Sequence, residues 1–300
     1  MRKCFNPFDK VFGMYGILQY QNELPLPAPD YGKDFATVWI EFFRYILSVS
    51  RSLVFLQNPG YHISPVLSET NTEHQALAAA RIPSWVLSFI ATQAKARQWQ
   101  RHHCLDEWLY RRGPCRIPLP STAEELCDKR KLTVIGKRLG EVSSISPWSG
   151  YDDIWMGTQK RAVAFFNAWR AFSGPSDTHD DPDPLDSLLR RINPWGSLTS
   201  KILAADEFSD GDRDTQDYDL HYWNRMIQAG KFKGLGPDDC QVGDIVVILD
   251  GASTRMVLRP VENGEFILAG HAMCAGVKWW EDWNCFNTGE ISNSETFSLV

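Results

Sequence analysis

The stretch Gly234–Gly276, GLGPDDCQVGDIVVILDGASTRMVLRPVENGEFILAGHAMCAG, decides how the C-terminal part of this 300-residue chain folds. Two glycines and a proline in Gly234-Leu235-Gly236-Pro237 stop any helix or central strand. Gly243-Asp244 then opens the apolar run Ile245–Leu249, short and β-branched as a buried strand should be. Asp250-Gly251 turns the chain, Met256-Val257-Leu258 reads as a second strand, and Asn263-Gly264 is a strong hairpin signal. Phe266-Ile267-Leu268 returns as a third strand. The pattern predicts a small antiparallel β-barrel-like unit over about Phe232–Val277, with Val257 and Leu258 facing its core and Arg259 projecting outward or capping a turn.

Working outward, Phe35, Val38, Trp39, Phe42, Phe43, Ile46 and Leu47 fall at helical spacing and give one wide apolar stripe, which reads as core packing rather than a cofactor box. Val11–Leu18 reads as a short helix, and Leu24–Pro29 as an extended connector. Two further helices are expected, Thr92–Tyr110 and Trp155–Phe172. Leu132–Gly136 and Gly140–Val142 look like a strand pair interrupted by glycines. The chain turns acidic at Asp177–Asp186 and again at Asp206–Asp219. The expected class is therefore α+β: a helix-rich body with a short antiparallel sheet over residues 1–205, an acidic linker over 206–219, and a C-terminal β-rich unit over 220–300.

Composition sets bounds. Hydrophobic content of 43% with 12 tryptophans argues for a folded globular chain. A net charge of −6 has the wrong sign for a general nucleic-acid binder. No apolar run is long enough to span a bilayer as a helix, so no membrane association is expected. Seven irregularly spaced cysteines without an export signal suggest reduced thiols and a cytoplasmic location.

Candidate chemistry is sparse. Asp210-Gly211-Asp212-Arg213-Asp214 resembles the start of a calcium loop, but Thr215 and His221 stand where glycine and a bidentate glutamate are needed. His102-His103-Cys104 with Cys115 and Cys127, and His271 with Cys274 and Cys285, lack the close ligand pairs of structural zinc sites. Arg97, Arg101, Arg111 and Arg112 beside Trp99 read as a solvated basic face rather than a phosphate or RNA site. Nucleophile-elbow, P-loop and zinc-protease motifs are absent from the sequence. No catalytic, cofactor-binding or metal-ligating residue is assigned, and no cofactor is expected.

Three ordered motifs resemble the C-terminal region of fungal heterokaryon incompatibility proteins. Asp9-Lys10-Val11-Phe12-Gly13-Met14-Tyr15-Gly16-Ile17 resembles the family's Asp-Lys-Val-Tyr-x-x-x-Gly-Leu, and Ile82-Pro83-Ser84-Trp85-Val86 its Leu-Pro-Ser-Trp-Val. Gly234–Pro237, Gly243-Asp244, Gly251, Leu258-Arg259-Pro260, Gly270 and Gly276 follow its terminal β segment. The Trp-Ile-Asp-x-x-Cys-Ile-Asn-Gln hallmark of the family's N-terminal effector domain is not in this sequence; Trp39-Ile40 continues instead into Glu41-Phe42-Phe43. The resemblance implies a non-enzymatic recognition or regulatory region in allorecognition, as a truncated or decoy member. Its partner would be a relative or another incompatibility factor, with self-association as a further expectation. An enzyme or small-ligand binder, with a site between the helical body and the β unit, is the alternative. If a front domain once packed here, several of Phe5, Phe8, Val11, Phe12, Met14 and Tyr15 should be exposed.

Overall fold

The computed structural model describes residues 7–19, 28–50, 53, 56, 82–86, 130–147, 168, 171–172, 225–237, 239–252, 255–274 and 294–300. Among these residues, the elements described over their full length begin with two helices, α1 (Pro7–Gln19) and α2 (Phe35–Ser50). Seven strands follow: β1 (Leu132–Ile145), β2 (Arg225–Ala229), β3 (Phe232–Gly236), β4 (Ile245–Leu249), β5 (Arg255–Pro260), β6 (Glu265–Cys274) and β7 (Glu295–Leu299).

The strands form one sheet in the order β2-β3-β6-β5-β4-β1-β7, and the extra pairings β1–β2 and β6–β7 fold it back on itself. Both closures depend on long strands that change partner along their length. β1 pairs with β7 over Leu132–Gly136, with β4 over Gly136–Glu141 and with β2 over Val142–Ile145. β6 touches β7 at Glu265 and Phe266, runs along β5 as far as Ala272, and meets β3 at Met273 and Cys274. The β6–β7 contact is parallel and the other pairings are antiparallel. Irregularities in register at Arg138/Gly140 and Val257/Leu258 allow the sheet to bend into a barrel-like shape.

Every strand of the Gly234–Gly276 reading is present. Ile245–Leu249 is β4, Met256–Leu258 lies in β5 and Phe266–Leu268 in β6. The hairpin at Asn263-Gly264 also forms: both residues have positive φ, 63° and 73°, and the Glu265 N–H donates to the Glu262 carbonyl across them. That is the geometry for which Asn-Gly is selected in two-residue turns.

The helix-rich body with a short antiparallel sheet is not what the chain forms. Strand outweighs helix among the described residues, and the sheet is one mixed seven-stranded structure. Its central strand is part of the reason. Leu132–Gly136 and Gly140–Val142, read as two strands broken by glycines, are one 14-residue strand. The glycines mark close approach rather than turns. A Cβ on Gly136 would lie 2.4 Å from the Ile248 carbonyl oxygen, and one on Gly140 would lie 2.7 Å from the Ala229 backbone. Both sit where a neighbouring strand crosses too near for any side chain.

The helices expected at Val11–Leu18 and Phe35–Leu47 are α1 and α2. Asp34 caps α2, accepting the Thr37 N–H at 2.9 Å and the Thr37 hydroxyl, which holds its carboxyl below the ordinary range. Of the two other expected helices, Thr92–Tyr110 lies outside the described residues, and within Trp155–Phe172 the described Ala168, Ala171 and Phe172 are helical. The connector before Ala28 and the acidic stretches also lie outside the described residues.

The sheet buries both faces. On one, Val134, Ile245, Val247, Met256, Leu258, Leu268 and Phe297 join Val11, Trp39, Phe42, Phe43 and Trp85 in the larger core. On the other, Val142, Val246, Val257, Ala269 and Ala272 pack on Ile227 and Ala229 of β2. Val257 and Leu258 are thus both fully buried, as expected, but in different cores. Alternation along a strand sends successive side chains to opposite faces, and along β4 and most of β5 neither face meets water.

Candidate functional site

The residues that carry the sequence motifs converge. Val11 and Tyr15 from α1, Trp85 and Val86 from the Pro-Ser-Trp segment, and Ile245, Leu258 and Leu268 from the sheet all belong to the larger core. Two of the three motifs also supply a polar device that fixes their own position.

The Pro-Ser-Trp segment is fastened at the seam between β6 and β7. The Ser84 N–H and hydroxyl both donate to the Val300 backbone oxygen, at 3.0 and 2.6 Å. The same hydroxyl accepts the Leu268 N–H at 2.9 Å. One serine therefore bridges two strands just where their parallel pairing runs out. Next to it Trp85 is fully buried, and its indole N–H donates to the Arg130 carbonyl at 2.9 Å. The Arg44 guanidinium lies 5.7 Å from the Trp85 ring centroid and donates to the Lys131 carbonyl, tying α2 to the start of β1.

Gly243-Asp244 and Leu258-Arg259-Pro260 are two halves of one lock. Asp244 is 1% exposed at the mouth of β4. Arg259, leaving β5, donates from Nε to Oδ1 at 3.0 Å and from Nη2 to Oδ2 at 3.1 Å, a two-bond fork. Nη2 also donates to the Asp239 carbonyl, and Nη1 lies 3.7 Å from the Asp239 carboxylate. Burial would lower the Arg259 guanidinium, but the Asp244 hydrogen bonds and charge outweigh it and hold the group above its ordinary value. Asp244 Oδ2 also accepts the Gln241 N–H at 2.8 Å. The corner is stitched to β1, since Val142 N–H donates to the Asp244 carbonyl at 2.7 Å and Gly243 N–H to the Val142 carbonyl at 2.9 Å. Arg259 thus caps the 239–244 turn, one of its two expected placements.

Pro237 rests on Gly270 of β6, where a Cβ would come within 3.1 Å of it. Cys240 belongs to the smaller core with Val246, Val257 and Ala269 and is 1% exposed. Burial, then the Asp244 charge and hydrogen bond, push its thiol up to about 12, so it is protonated and unreactive at neutral pH. The carboxylate, the guanidinium and the thiol are all engaged with one another. This arrangement fixes a loop; it offers no activated nucleophile.

Residues 224–282 match the Het-6 beta-barrel domain. The matched segment runs from the start of β2 through β6. The match supports a heterokaryon-incompatibility type of C-terminal region. No curated protein and no solved structure matches the chain. The tertiary structure adds what the matched segment lacks: β1, far upstream, and β7, beyond its end, complete the sheet around the Het-6 barrel.

Of the candidate metal clusters, the Asp210–Asp214 loop, His102-His103-Cys104, Cys115, Cys127 and Cys285 lie outside the described residues, as do Arg97, Trp99, Arg101, Arg111 and Arg112. His271 is described: it is a buried residue of β6, 7% exposed. Among the described residues, no group of three His, Cys, Asp or Glu side chains is placed to hold a metal ion, and no helix is long and apolar enough to cross a membrane.

Among the described residues, none of the α1 side chains expected at the surface is fully exposed. Val11 and Tyr15 are buried, and Phe8, Phe12 and Met14 are half-buried; Phe5 lies outside the described residues. These side chains have a partner in α2. Tyr15 stacks on Phe42 at 5.9 Å, and Phe8 meets Phe35 edge-on at 5.4 Å. Among the described residues, the large aromatic that does reach solvent is Tyr31, 57% exposed. Sequence reading passed over it because it lies in neither apolar stripe.

Proposed function

We propose that this chain is a non-enzymatic recognition module of the heterokaryon-incompatibility kind, acting in the cytoplasm by binding a relative or another incompatibility factor in self/non-self recognition. The observation that carries the reading is the Het-6 barrel match over residues 224–282. The geometry supports it: the residues behind the resemblance are occupied in holding β1, the Pro-Ser-Trp segment and the helices around that barrel. A scaffold whose signature residues are engaged in packing presents function on its surface, as binding modules do.

The test is association. Tagged full chain, expressed in a filamentous fungus, is expected to co-precipitate a full-length incompatibility protein, and its expression alone is expected to leave cells viable. Failure to retain any such protein, or cell death on expression of this chain alone, would overturn the reading.

A further inference from the structure

We propose that the aromatic patch of Phe8, Phe12, Tyr31 and Phe35, rimmed by the Asp9 and Asp30 carboxylates, docks an arginine-bearing basic segment of a partner protein. The proposal deepens the recognition reading above and rests on it, giving it a surface and a partner chemistry.

The packing of α1 on α2 sorts its aromatic rings into two groups. Tyr15, Trp39, Phe42 and Phe43 are buried in the larger core. Phe8, Phe12 and Phe35 remain half-buried at its edge, and Tyr31, from the segment that leads into α2, lies over them. The Tyr31 ring centroid is 4.9 Å from that of Phe12 and 5.8 Å from that of Phe8. Its hydroxyl donates to Asp9 Oδ1 at 2.9 Å, so the exposed ring is held at both ends. A large ring fixed before binding loses little conformational freedom when a partner arrives, which is why tyrosine anchors so many recognition surfaces.

The sign of the surface selects the occupant. Aromatic faces carry negative electrostatic potential. The exposed Asp9, Asp30 and Asp34 side chains add negative charge around them. Lys33 does not cancel it, because its ammonium is paired with Glu41 at 2.9 Å. A guanidinium can stack on the Tyr31 face while pairing with a carboxylate at the rim, and both contacts favour arginine over lysine. A second copy of this chain is a poorer fit, since each copy carries a net charge of −6.

The test uses purified full chain and a fluorescein-labelled peptide, Gly-Arg-Phe-Arg-Ser-Arg-Gly, read by fluorescence anisotropy. Lysine-for-arginine and glutamate-for-arginine versions are the comparison peptides. Saturable binding of the arginine peptide is expected, with weaker binding of the lysine form. Tyr31→Ala and Asp9→Asn should each weaken it roughly five- to tenfold. Glu262→Gln, the same charge change on the β5–β6 turn, should leave it within about twofold. Tyr31→Phe, which keeps the ring and loses only the Asp9 bond, guards against a folding defect and should bind better than Tyr31→Ala.

The proposal is overturned if the wild-type chain shows no saturable binding, if Glu262→Gln weakens binding as much as Asp9→Asn, or if Tyr31→Ala binds as tightly as wild type. Sedimentation that shows a dimer dissociated by Tyr31→Ala would give the patch to a second copy and would equally overturn it. If Tyr31→Ala still co-precipitates a full-length incompatibility protein, docking at this patch fails while the recognition reading stands.

Discussion

Replacing Arg259 by methionine should destabilise the fold through the aspartate it leaves behind. Methionine keeps an unbranched apolar stem but removes the fork, so the main effect falls on Asp244. That carboxylate is 1% exposed, and of its hydrogen bonds those from the Gln241 N–H and the Cys240 thiol would remain, neither of them carrying a charge. Breaking a buried pair from one side costs about 3–5 kcal/mol. The Arg259 side chain is 23% exposed, so some water can reach the orphaned carboxylate, which places the expected loss near the bottom of that range, about 3 kcal/mol. Asp244→Asn should cost less, about 1–2 kcal/mol, because the amide oxygen still accepts from Gln241 and the guanidinium keeps Asp239. The double variant should lose less than the sum of the two, with a coupling of order 1–3 kcal/mol. Urea denaturation followed by tryptophan fluorescence suits the measurement, since Trp39 and Trp85 are both buried in the larger core. The midpoint should fall with the slope unchanged. A loss below about 0.5 kcal/mol, as for an ordinary surface substitution, would show that the fork does not hold the corner.

Gly136→Ala should cost on the order of 1–3 kcal/mol, because its Cβ would meet the Ile248 backbone oxygen, which cannot move without breaking β1 from β4; an unchanged thermal midpoint would mean the crossing is looser than described. Cys240 should make stability fall at high pH. Its folded thiol ionises only at about 12, so from about 9, where the unfolded thiol ionises, the unfolded state is favoured increasingly until the folded thiol ionises too. Urea midpoints from pH 8 to 10.5 should therefore decline more steeply for wild type than for Cys240→Ala, and parallel curves would count against the burial of this thiol.

The three strands between Ile245 and Leu268 were legible because each turn between them is written locally, whereas β2 was not foreseen and the glycines read as a stop at 234–236 lie inside β3. Asn263-Gly264 adopts positive φ at both positions, and Ile245–Leu249 is an apolar run of strand length between turn signals. The two aromatic-rich helices were legible for the same reason, since a period of 3.6 needs no knowledge of the partner. The Asp244–Arg259 fork was half visible: its residues stand in two quoted motifs, and an arginine before proline at a strand end is a plausible cap. Nothing in the spacing says which carboxylate it meets.

Tertiary structure alone decided the rest. Gly136 and Gly140 carry the same letter as a turn glycine, and only the nearness of Ile248 and Ala229 shows that they permit a crossing within one continuous strand. Ser84 reads as an ordinary polar residue until Leu268 and Val300 lie on either side of it. The membership of β1 in the sheet was illegible for a related reason. Strand pairing is a contact between backbones, so the sequence of β1 records that it is half-buried and extended but not which strands flank it. Local conformation is set by neighbours in the chain and can be read there. Closure of the barrel is set by which distant backbones come within hydrogen-bonding distance, and that is fixed only when the whole core assembles.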